Sequence, residues 1–439
     1  MRRALPILLC VSAPNVRPLM ITPTQTLLQP ACIRKAAVNF IPPLGLPSTS
    51  RKGTCGNVAV LGCSPEYSGA GHYAAESALR SGVDLVTLYV LHDSVAQVCK
   101  TYGREVMVRS LESEFSLVGL HCNSSSNSNS NSNSNSNSNS NSNIDSDTKA
   151  QVESIVRKTL FENVSRLPDC FVIGPGLGRA PIIPAIVSSV LKCCAEFDVY
   201  CVVDADGIWG LINSDTNFTD NSRCVVTPNI GEFGRMVDWA NEKIGCDAEK
   251  IDFNYRECVG CTGDYNTEAS REQICIKAAL KLLSTLRFGS IVIKGSTDII
   301  ASSVTAKTDN DEAGESLYLA PSPESPCLKR CGGVGDVLSG VVGALLAFKN
   351  RSEKQPGGKG WEEELRREHR LTEGWIGKDN GRKDIKIGNG RNFAVWIACH
   401  ITKLSSSRAF QRRGRAMRAD DIIDEIGVVM KENFEPFLK

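Results

Sequence analysis

Short apolar runs recur along the chain, and each is followed by Gly, Asp or Pro and then by a stretch with helical spacing. The runs are NVAVLG from Asn57, DLVTLYV from Asp84, CFVIG from Cys170, YCVVDAD from Tyr200, CVVTPN from Cys224 and SIVIKG from Ser290. Runs of this length without polar alternation are typical of strands buried on both faces of a parallel sheet. Helical spacing appears at residues 73–81, 273–288, 336–349 and 393–404. The pattern predicts an α/β fold with one mostly parallel sheet covered by helices.

Three polar segments interrupt this pattern. Residues 123–143 are almost purely alternating Asn and Ser, a composition with nothing to bury that cannot offset the entropy of ordering, so we expect a disordered loop. The segments near 241–271 and 349–391 are rich in charge and glycine. We predict a single catalytic domain over residues 32–439, with insertions near 123–147, 241–271 and 349–391.

The first 31 residues form an N-terminal extension with the character of an organellar presequence. No acidic residue precedes Glu66, whereas Arg2, Arg3, Arg17 and Arg34 supply positive charge among Ser, Thr, Pro and apolar residues. A short secretory segment and an unstructured cytosolic extension are the alternatives. We expect a mitochondrial or cytoplasmic protein.

Composition narrows the classes of partner. The 50 Lys and Arg nearly balance the 49 Asp and Glu, and no basic stripe is interleaved with aromatics, so we expect no nucleic-acid partner. The longest apolar runs, such as residues 341–348, stop after about two helical turns, so we expect no membrane-spanning helix. The 18 cysteines lack regular spacing, which favours reduced thiols.

Polar or glycine-rich residues follow several of the predicted strands. They are GPGLG from Gly174, Asp204 with Asp206, the segment from Asn229, and the segment from Lys294. Ligands of open α/β sheets bind beyond the carboxyl ends of the strands. The sequence therefore predicts a cleft at this edge of the sheet.

The segment CGGVGD places Asp336 directly after Gly332, Gly333 and Gly335, at the start of an apolar stretch with the spacing of a buried helix. Glycines allow close approach of a ligand to the backbone, and the free N–H groups of a helix start favour an anion. An acid here is also a common helix cap, but a cap does not need three glycines before it. We predict a phosphate site with Asp336 as the general base that takes a proton from an attacking hydroxyl.

Two further strand ends carry groups suited to phosphoryl transfer. On a helical turn, Asn229 and Glu232 share one face and can orient Mg²⁺ through water. The alternative is a capping box with Asn at the N-cap and Glu at N3. Lys294 leaves a strand into a tight turn, where its ammonium group either reaches a nucleotide phosphate or is simply solvated.

Nine segments, in order, resemble the ATP-dependent (S)-NAD(P)H-hydrate dehydratase family of the ribokinase-like superfamily. They are KGTCGNVAVLG, EYSGAG, ALRSGVDLV, GPGLGR, VVDADGIW, VVTPNIGEFGRM, IKGSTDII, RCGGVGDVLSG and AFQRRGRAMRADDIIDEIG. The resemblance runs from about residue 33 to the C-terminus. It implies a ribokinase-like three-layer αβα fold with a mostly parallel central sheet.

The resemblance also implies a reaction and its site. Family members repair hydrated NADH or NADPH: ATP, with Mg²⁺, phosphorylates the ring hydroxyl, and phosphate then leaves to return the reduced dinucleotide. Asp336 would be the base and the glycine loop would hold the transferring phosphoryl group. The residues implied to bind ATP are Lys294, Gly295, Ser296, Thr297, Asp298, Gly332, Gly333, Val334 and Gly335. Those implied to bind the hydrated dinucleotide are Gly178, Asn229, Ile230, Gly231, Glu232, Phe233, Gly234, Arg235 and Asp336.

The chain departs from the family pattern near the start of the sheet, where Cys63 stands for the usual glycine and Gly71 for the usual proline. These changes place the nicotinamide end of the pocket in doubt. The sequence shows no epimerase domain, so we expect a separate epimerase to supply the S form from the R hydrate. It leaves the oligomeric state open, a homo-oligomer included.

Two other functions fit parts of the pattern. A small-molecule kinase of the same superfamily, acting on hydroxymethylpyrimidine or a thiazole alcohol, would use the same base and glycine loop. A catalytically silent nucleotide-binding protein would keep the glycines and lose the base. The segments NIGEFGRM and AFQRRGR fit the dehydratase better than the kinase, and the presence of Asp336 disfavours the silent protein.

Overall fold

The computed structural model describes residues 40–42, 52–117, 144–214, 221–243, 250–254, 265–286, 288–304, 314–320, 323, 325–353 and 390–434. The N-terminal extension, the Asn and Ser segment and much of the other two predicted insertions lie outside these residues, so the predictions for them stay predictions. Within the described part of the chain, no helix is both long enough and apolar enough to cross a bilayer.

The strands form one sheet. Their bounds are β1 (Asn57–Leu61), β2 (Leu85–Val90), β3 (Met107–Ser110), β4 (Cys170–Ile173), β5 (Tyr200–Val203), β6 (Asn221–Val226), β7 (Phe288–Ile293), β8 (Asp298–Val304) and β9 (Gly314–Ala320). Their order across the sheet is β3-β2-β1-β4-β5-β6-β7-β8-β9. Pairing is parallel from β3 to β7, and β8 and β9 add an antiparallel edge.

Helices cover both faces of the sheet. Their bounds are α1 (Ala70–Arg80), α2 (Asp93–Cys99), α3 (Glu112–Ser116), α4 (Ser146–Val156), α5 (Ile183–Glu196), α6 (Asp206–Ile212), α7 (Ile230–Lys243), α8 (Tyr265–Leu286), α9 (Val334–Glu353), α10 (Gly390–Arg413) and α11 (Ala419–Asn433). A π-helical turn (Arg157–Glu162) extends α4, and a 3-10 turn (Gly414–Ala416) joins α10 to α11.

The strands are buried on both sides because successive side chains enter different layers. In β1, Val58 and Val60 join the core beneath α1, α9, α10 and α11. Ala59 and Leu61 join the core beneath α4 to α8. This is the period of a pleated strand covered on two faces. The predicted three-layer αβα fold is confirmed.

Each predicted strand and helix is present. Helices α9 and α10 extend beyond both predicted ends, whereas α1 and α8 begin earlier than predicted and end one and two residues sooner. The sequence prediction omitted β3, β8 and β9, all of which lie toward the two edges of the sheet. Helix α9 is buried from Val337 to Asn350, between the sheet and the helices α1 and α10. The buried part of α9 therefore positions its partly exposed first turn, residues 334–336.

Candidate active site

The loops that follow β1, β4, β5, β6 and β7 meet at one edge of the sheet, because these strands are parallel. Two clefts open there. The β4 cleft, of about 570 Å³, has Ser64, Tyr67, Gly178, Arg179, Asp206 and Asp336 in its lining. The β7 cleft, of about 600 Å³, is lined by residues that include Asn229, Lys294, Gly295, Ser296, Asp298, Arg330, Gly335 and Lys403. Since Gly335 lines one cleft and Asp336 the other, the first turn of α9 is the wall they share.

The glycine loop leads into this turn with a tightly packed backbone. Gly333 has φ of 89°, and a Cβ placed on it would lie 2.9 Å from Tyr73 Cδ2 and from Ala419 Cβ. A Cβ on Gly332 would meet no atom within 4 Å. The first helical hydrogen bond, from Val337 N to Gly333 O, is 2.9 Å, so the N–H groups that precede it are free to bind an anion.

Asp336 lies in this first turn and is partly buried. Burial raises the pKa of its carboxyl to about 7, and the carboxylate of Asp204 adds to the rise while the ammonium of Lys294 opposes it. An acid with a pKa near neutrality is half ionised at physiological pH, which suits proton transfer in either direction. The raised pKa suits a general base, and the role of Asp336 as that base stays a prediction.

Lys294 follows β7 and pairs with a buried carboxylate. Its Nζ lies 2.6 Å from Asp204 Oδ1, and Asp204 is fully buried at the end of β5. Burial acts to lower the pKa of Lys294, but the carboxylates of Asp204 and Glu232 outweigh it, so the pKa is raised. The lysine is therefore held as a cation behind the glycine loop.

The tight turn after Lys294 is held from two sides. Gly295 donates its N–H to Asp298 Oδ1 at 2.9 Å. Lys403, on α10, donates to the carbonyl oxygens of Gly295 at 2.9 Å and Ser296 at 2.8 Å, and its Nζ lies 3.4 Å from Asp298 Oδ1. Burial raises the pKa of Asp298, against the effect of Lys403. Asp298 and Lys403 thus shape the backbone of residues 294–298, which include Thr297.

Asn229 and Glu232 form a capping box at the start of α7. Asn229 Oδ1 accepts the N–H groups of Gly231 at 3.0 Å and Glu232 at 2.9 Å, and Glu232 Oε2 accepts the N–H of Asn229 at 2.8 Å. The capping alternative is therefore confirmed. A parallel bridge joins Asn229 to Lys294, so the start of α7 lies beside the β7 cleft.

The rest of the predicted segment continues into α7. The bounds of this helix begin at Ile230; Gly234 is buried and Arg235 is exposed. Phe233 is fully buried and packs edge-on against Phe253, with the ring centroids 5.0 Å apart. The ring of Phe233 therefore belongs to the core, and its N–H donates to Asn229 O at 2.8 Å, so neither is available to a ligand.

Gly178 lies in the β4 cleft and is fixed by Asp206. Its N–H donates to Asp206 Oδ2 at 3.0 Å, and Arg179 Nε donates to Asp206 Oδ1 at 3.1 Å. Gly178 has φ of 83°, and a Cβ on it would lie 3.3 Å from Ser64 Cβ. The hydroxyl of Ser64 is buried with no hydrogen-bond partner among the described residues, so it can bond to a ligand in this cleft.

The oxygen groups beside the β7 cleft fit a hydrated Mg²⁺ ion. Mg²⁺ prefers oxygen ligands and keeps several of its waters. Asn229 Oδ1 already accepts two N–H groups, which favours contact through water. In the described part of the chain, no group of three or more His, Cys, Asp or Glu side chains is arranged to hold a metal.

Several side chains at the clefts lie outside the predicted site set. Among them, Ser64 and Asp206 line the β4 cleft, Lys403 lines the β7 cleft, and Asp204 pairs with Lys294. The two acids were visible as strand-end residues, and Ser64 lies three residues after the end of β1. Lys403 had no sequence signal, because its contacts with Gly295 join residues 108 positions apart.

Comparison with known proteins indicates the same family that the sequence motifs resemble. The model of the NAD(P)H-hydrate dehydratase family matches residues 58–360. The ATP-dependent (S)-NAD(P)H-hydrate dehydratase of Aspergillus fumigatus is 27% identical over 393 residues, which are 89% of this chain and 91% of that protein. The protein of the same name from Homo sapiens is 26% identical over 397 residues, 90% of this chain and 83% of its own length.

Solved structures agree on the fold. A ribokinase-like superfamily protein from Enterococcus faecalis matches with a TM-score of 0.51 at 16% identity. The match covers 93% of this chain and 96% of that one. This similarity supports the ribokinase-like architecture.

Proposed function

The chain belongs to the NAD(P)H-hydrate dehydratase family, and we propose on this premise that it catalyses the ATP-dependent dehydration of the S hydrates of NADH and NADPH. The products are the reduced dinucleotide, ADP and phosphate. The shared name of the curated relatives supports this reaction over phosphorylation of a small alcohol and over a silent nucleotide-binding role.

One observation carries the proposal: Asp336 lies on the wall between two clefts, with its pKa raised to about 7 chiefly by burial. A base that removes the proton of a hydroxyl must face the hydroxyl, and the group that the hydroxyl attacks must lie just beyond it. Asp336 lines the β4 cleft and its neighbour Gly335 lines the β7 cleft. This arrangement suits transfer of a phosphoryl group from one cleft to the other.

The β7 cleft has the groups that a triphosphate requires. The free N–H groups at the start of α9 and the ammonium of Lys294 provide fixed positive potential where negative charge develops. Lys294, Gly295, Ser296 and Asp298 line this cleft, and Lys403 holds the carbonyl groups of Gly295 and Ser296. We therefore assign ATP to this cleft, with its reacting end at the glycine loop.

The β4 cleft is left for the hydrated dinucleotide. Gly178 and Asp336 line it, and the buried hydroxyl of Ser64 lies beside Gly178. Ionised Asp336 accepts the proton of the ring hydroxyl as that oxygen attacks. Once the hydroxyl is phosphorylated, phosphate is a far better leaving group than hydroxide: the ring nitrogen supplies the electrons that break the C–O bond. Loss of a proton from the adjacent ring carbon then forms the double bond of the reduced dinucleotide.

Bound Mg²⁺ would supply positive charge against the phosphate groups of ATP. We propose that Asn229 and Glu232 hold it through water. Burial raises the pKa of Glu232, although Lys294 opposes the rise, so an adjacent cation would favour its ionised form. We also propose that use of the R hydrate depends on a separate epimerase.

Product analysis tests the function. The protein is incubated with S-hydrated NADH, ATP and Mg²⁺, and the products are separated by chromatography and identified by mass. We expect NADH, ADP and phosphate in equal amounts. A stable phosphorylated product, or turnover with hydroxymethylpyrimidine or a thiazole alcohol but not with the hydrate, would instead identify a kinase.

A further inference from the structure

Asp204 is a fully buried carboxylate at the point where β5 reaches the clefts. Its Oδ1 atom pairs with Lys294 Nζ at 2.6 Å. Withdrawing a carboxylate and an ammonium group from water costs free energy that an apolar pair of similar size would not. A buried pair placed at a ligand cleft therefore suggests a role in function.

The second oxygen of Asp204 has no hydrogen-bond partner among the described residues. Its position is known from Gly335: a Cβ placed on this glycine would lie 4.0 Å from Asp204 Oδ2 and 3.3 Å from Lys294 Nζ. The ion pair thus lies directly behind Gly335, the residue of the glycine loop that precedes Asp336. A side chain at position 335 would be in tight contact with Lys294 Nζ and in ordinary contact with Asp204.

The backbone around Asp204 is held in a strained conformation. Ala205 has φ of 46° and ψ of −118°, a region that residues other than glycine rarely adopt and that persists only when the surroundings enforce it. The backbone of Gly174 packs tightly against this turn, because a Cβ on Gly174 would lie 1.9 Å from Asp204 O. After this turn, Asp206 binds the loop of the β4 cleft, whereas Asp204 binds Lys294 of the β7 cleft.

We propose that Asp204 is a positioning residue for the transfer step: it fixes the ammonium of Lys294 behind the glycine loop and keeps a negative charge beside Asp336. This inference rests on the proposed function. It assigns to Asp204 a role that acts through Lys294 and Asp336, without contact between Asp204 and the reacting atoms.

The charges around Asp336 indicate what loss of Asp204 does. Burial is the main cause of the raised pKa of Asp336. Among the neighbouring charges, Asp204 raises this pKa most, Lys294 lowers it, and Asp206 and Glu232 raise it further. The phenol of Tyr73 on α1 also interacts with Asp336. Removing Asp204 deletes a negative charge and leaves Lys294 without its partner, and both changes favour ionised Asp336. Its pKa then falls.

The test compares the pH dependence of kcat/KM in Asp204→Asn and Lys294→Gln. A base works when deprotonated, so the rate rises with pH through the pKa of Asp336. In Asp204→Asn this rising part of the pH profile, the acidic limb, moves to lower pH by about one unit. The kcat of this variant falls at least about tenfold. In Lys294→Gln the limb moves to higher pH. Asp206→Asn is the matched control: it chiefly raises KM for the hydrate and shifts the limb less than Asp204→Asn.

The double variant Asp204→Asn with Lys294→Gln is a second test in case a single variant does not fold, because it leaves no unpaired charge from the buried ion pair. We expect its limb to return toward the wild-type position while kcat stays low. An unchanged limb in folded Asp204→Asn, or shifts of the same sign in the two single variants, would overturn the inference.

If the wild-type protein shows no turnover, the proposed function fails separately. The pKa of Asp336 is then read from the pH dependence of unfolding in each variant, compared with the same variant carrying Asp336→Asn. A lower pKa in Asp204→Asn would still support the electrostatic part of the inference, and an unchanged one would refute it.

Discussion

The sulfur of Cys63 occupies the space that a side chain at position 71 would need. A Cβ placed on Gly71 would lie 2.8 Å from Cys63 Sγ, closer than real contacts allow. Cys63 itself has φ of 65°, in the region that favours glycine, and its thiol donates to Ser68 O at 3.0 Å. The two departures from the family pattern therefore accommodate each other.

This relationship predicts strong coupling between the two positions. Gly71→Ala alone should destabilise the protein by about 1–3 kcal/mol, because the new methyl group overlaps the sulfur. Cys63→Gly with Gly71→Ala should recover most of that loss, since the sulfur is gone. Urea unfolding of the four proteins of the double-mutant cycle measures the coupling, which we expect to exceed about 1 kcal/mol. Additive effects would show that the residues are independent.

Asp336→Asn should lower kcat by about 10²–10⁴-fold, because the variant keeps the cleft but cannot accept a proton. Nucleotide affinity should stay near the wild-type value, as measured by calorimetry. Asp424→Asn, which removes an exposed carboxylate on α11, is the control and should retain full turnover. Wild-type-like turnover in Asp336→Asn would refute the assigned mechanism.

The same substitution should stabilise the protein at alkaline pH. The pKa of Asp336 is raised from 3.8 to about 7, so the folded state favours the protonated acid. The resulting destabilisation grows as the pH rises from about 4 to about 7 and is complete above that range. Asparagine bears no charge at any pH. We expect Asp336→Asn to exceed the wild type by about 1–3 kcal/mol at pH 8, after allowance for solvent screening. The gain should fade as the pH falls from 7 to 4. A gain that does not vary with pH would contradict the raised pKa.

Two adjacent glycines should respond differently to the same change. Gly333→Ala puts a methyl group against Tyr73 and Ala419 at positive φ and should cost about 1–3 kcal/mol of stability. Gly332→Ala meets only open space, so its thermal unfolding should match the wild type. Calorimetric unfolding of both variants checks this; equal losses would mean that the loop packing has been misassigned.

Glu232→Gln separates the cap from the proposed ion contact. Glutamine also serves at the N3 position of a capping box, so the melting temperature should change little, whereas the lost charge should raise the Mg²⁺ concentration needed for half-maximal rate. Asn229→Ala is the contrasting variant, because it removes the cap and should cost about 1 kcal/mol. If Glu232→Gln leaves the Mg²⁺ requirement unchanged, Glu232 acts only as a cap.

The sequence predicted the centre of the fold better than its edges. The runs in β1, β4 and β5 are buried on both faces, and a short uninterrupted apolar run bounded by turn residues is typical of such a strand. Strand β3 has four residues that alternate between exposed and partly buried, a signal too short to separate from a loop. The antiparallel edge of β8 and β9 was missed because neither run was distinguished from the polar sequence around it.

The site was predictable where local sequence determines it. The glycine loop and Asp336 are adjacent in the sequence, so their pattern can be recognised without a structure. Lys403 comes from α10, and its contact with residues 294–298 depends on how that helix packs. The capping box of Asn229 and Glu232 shows the converse, since a local pattern that fits an ion also fits a helix start, and only geometry identified the cap.

The most direct measurement follows the return of NADH absorbance when purified protein is given S-hydrated NADH, Mg²⁺ and ATP, with an otherwise identical reaction that lacks ATP. The proposed function predicts recovery of absorbance only when ATP is present, with one ADP formed for each NADH. No recovery by folded protein that binds ATP would contradict it.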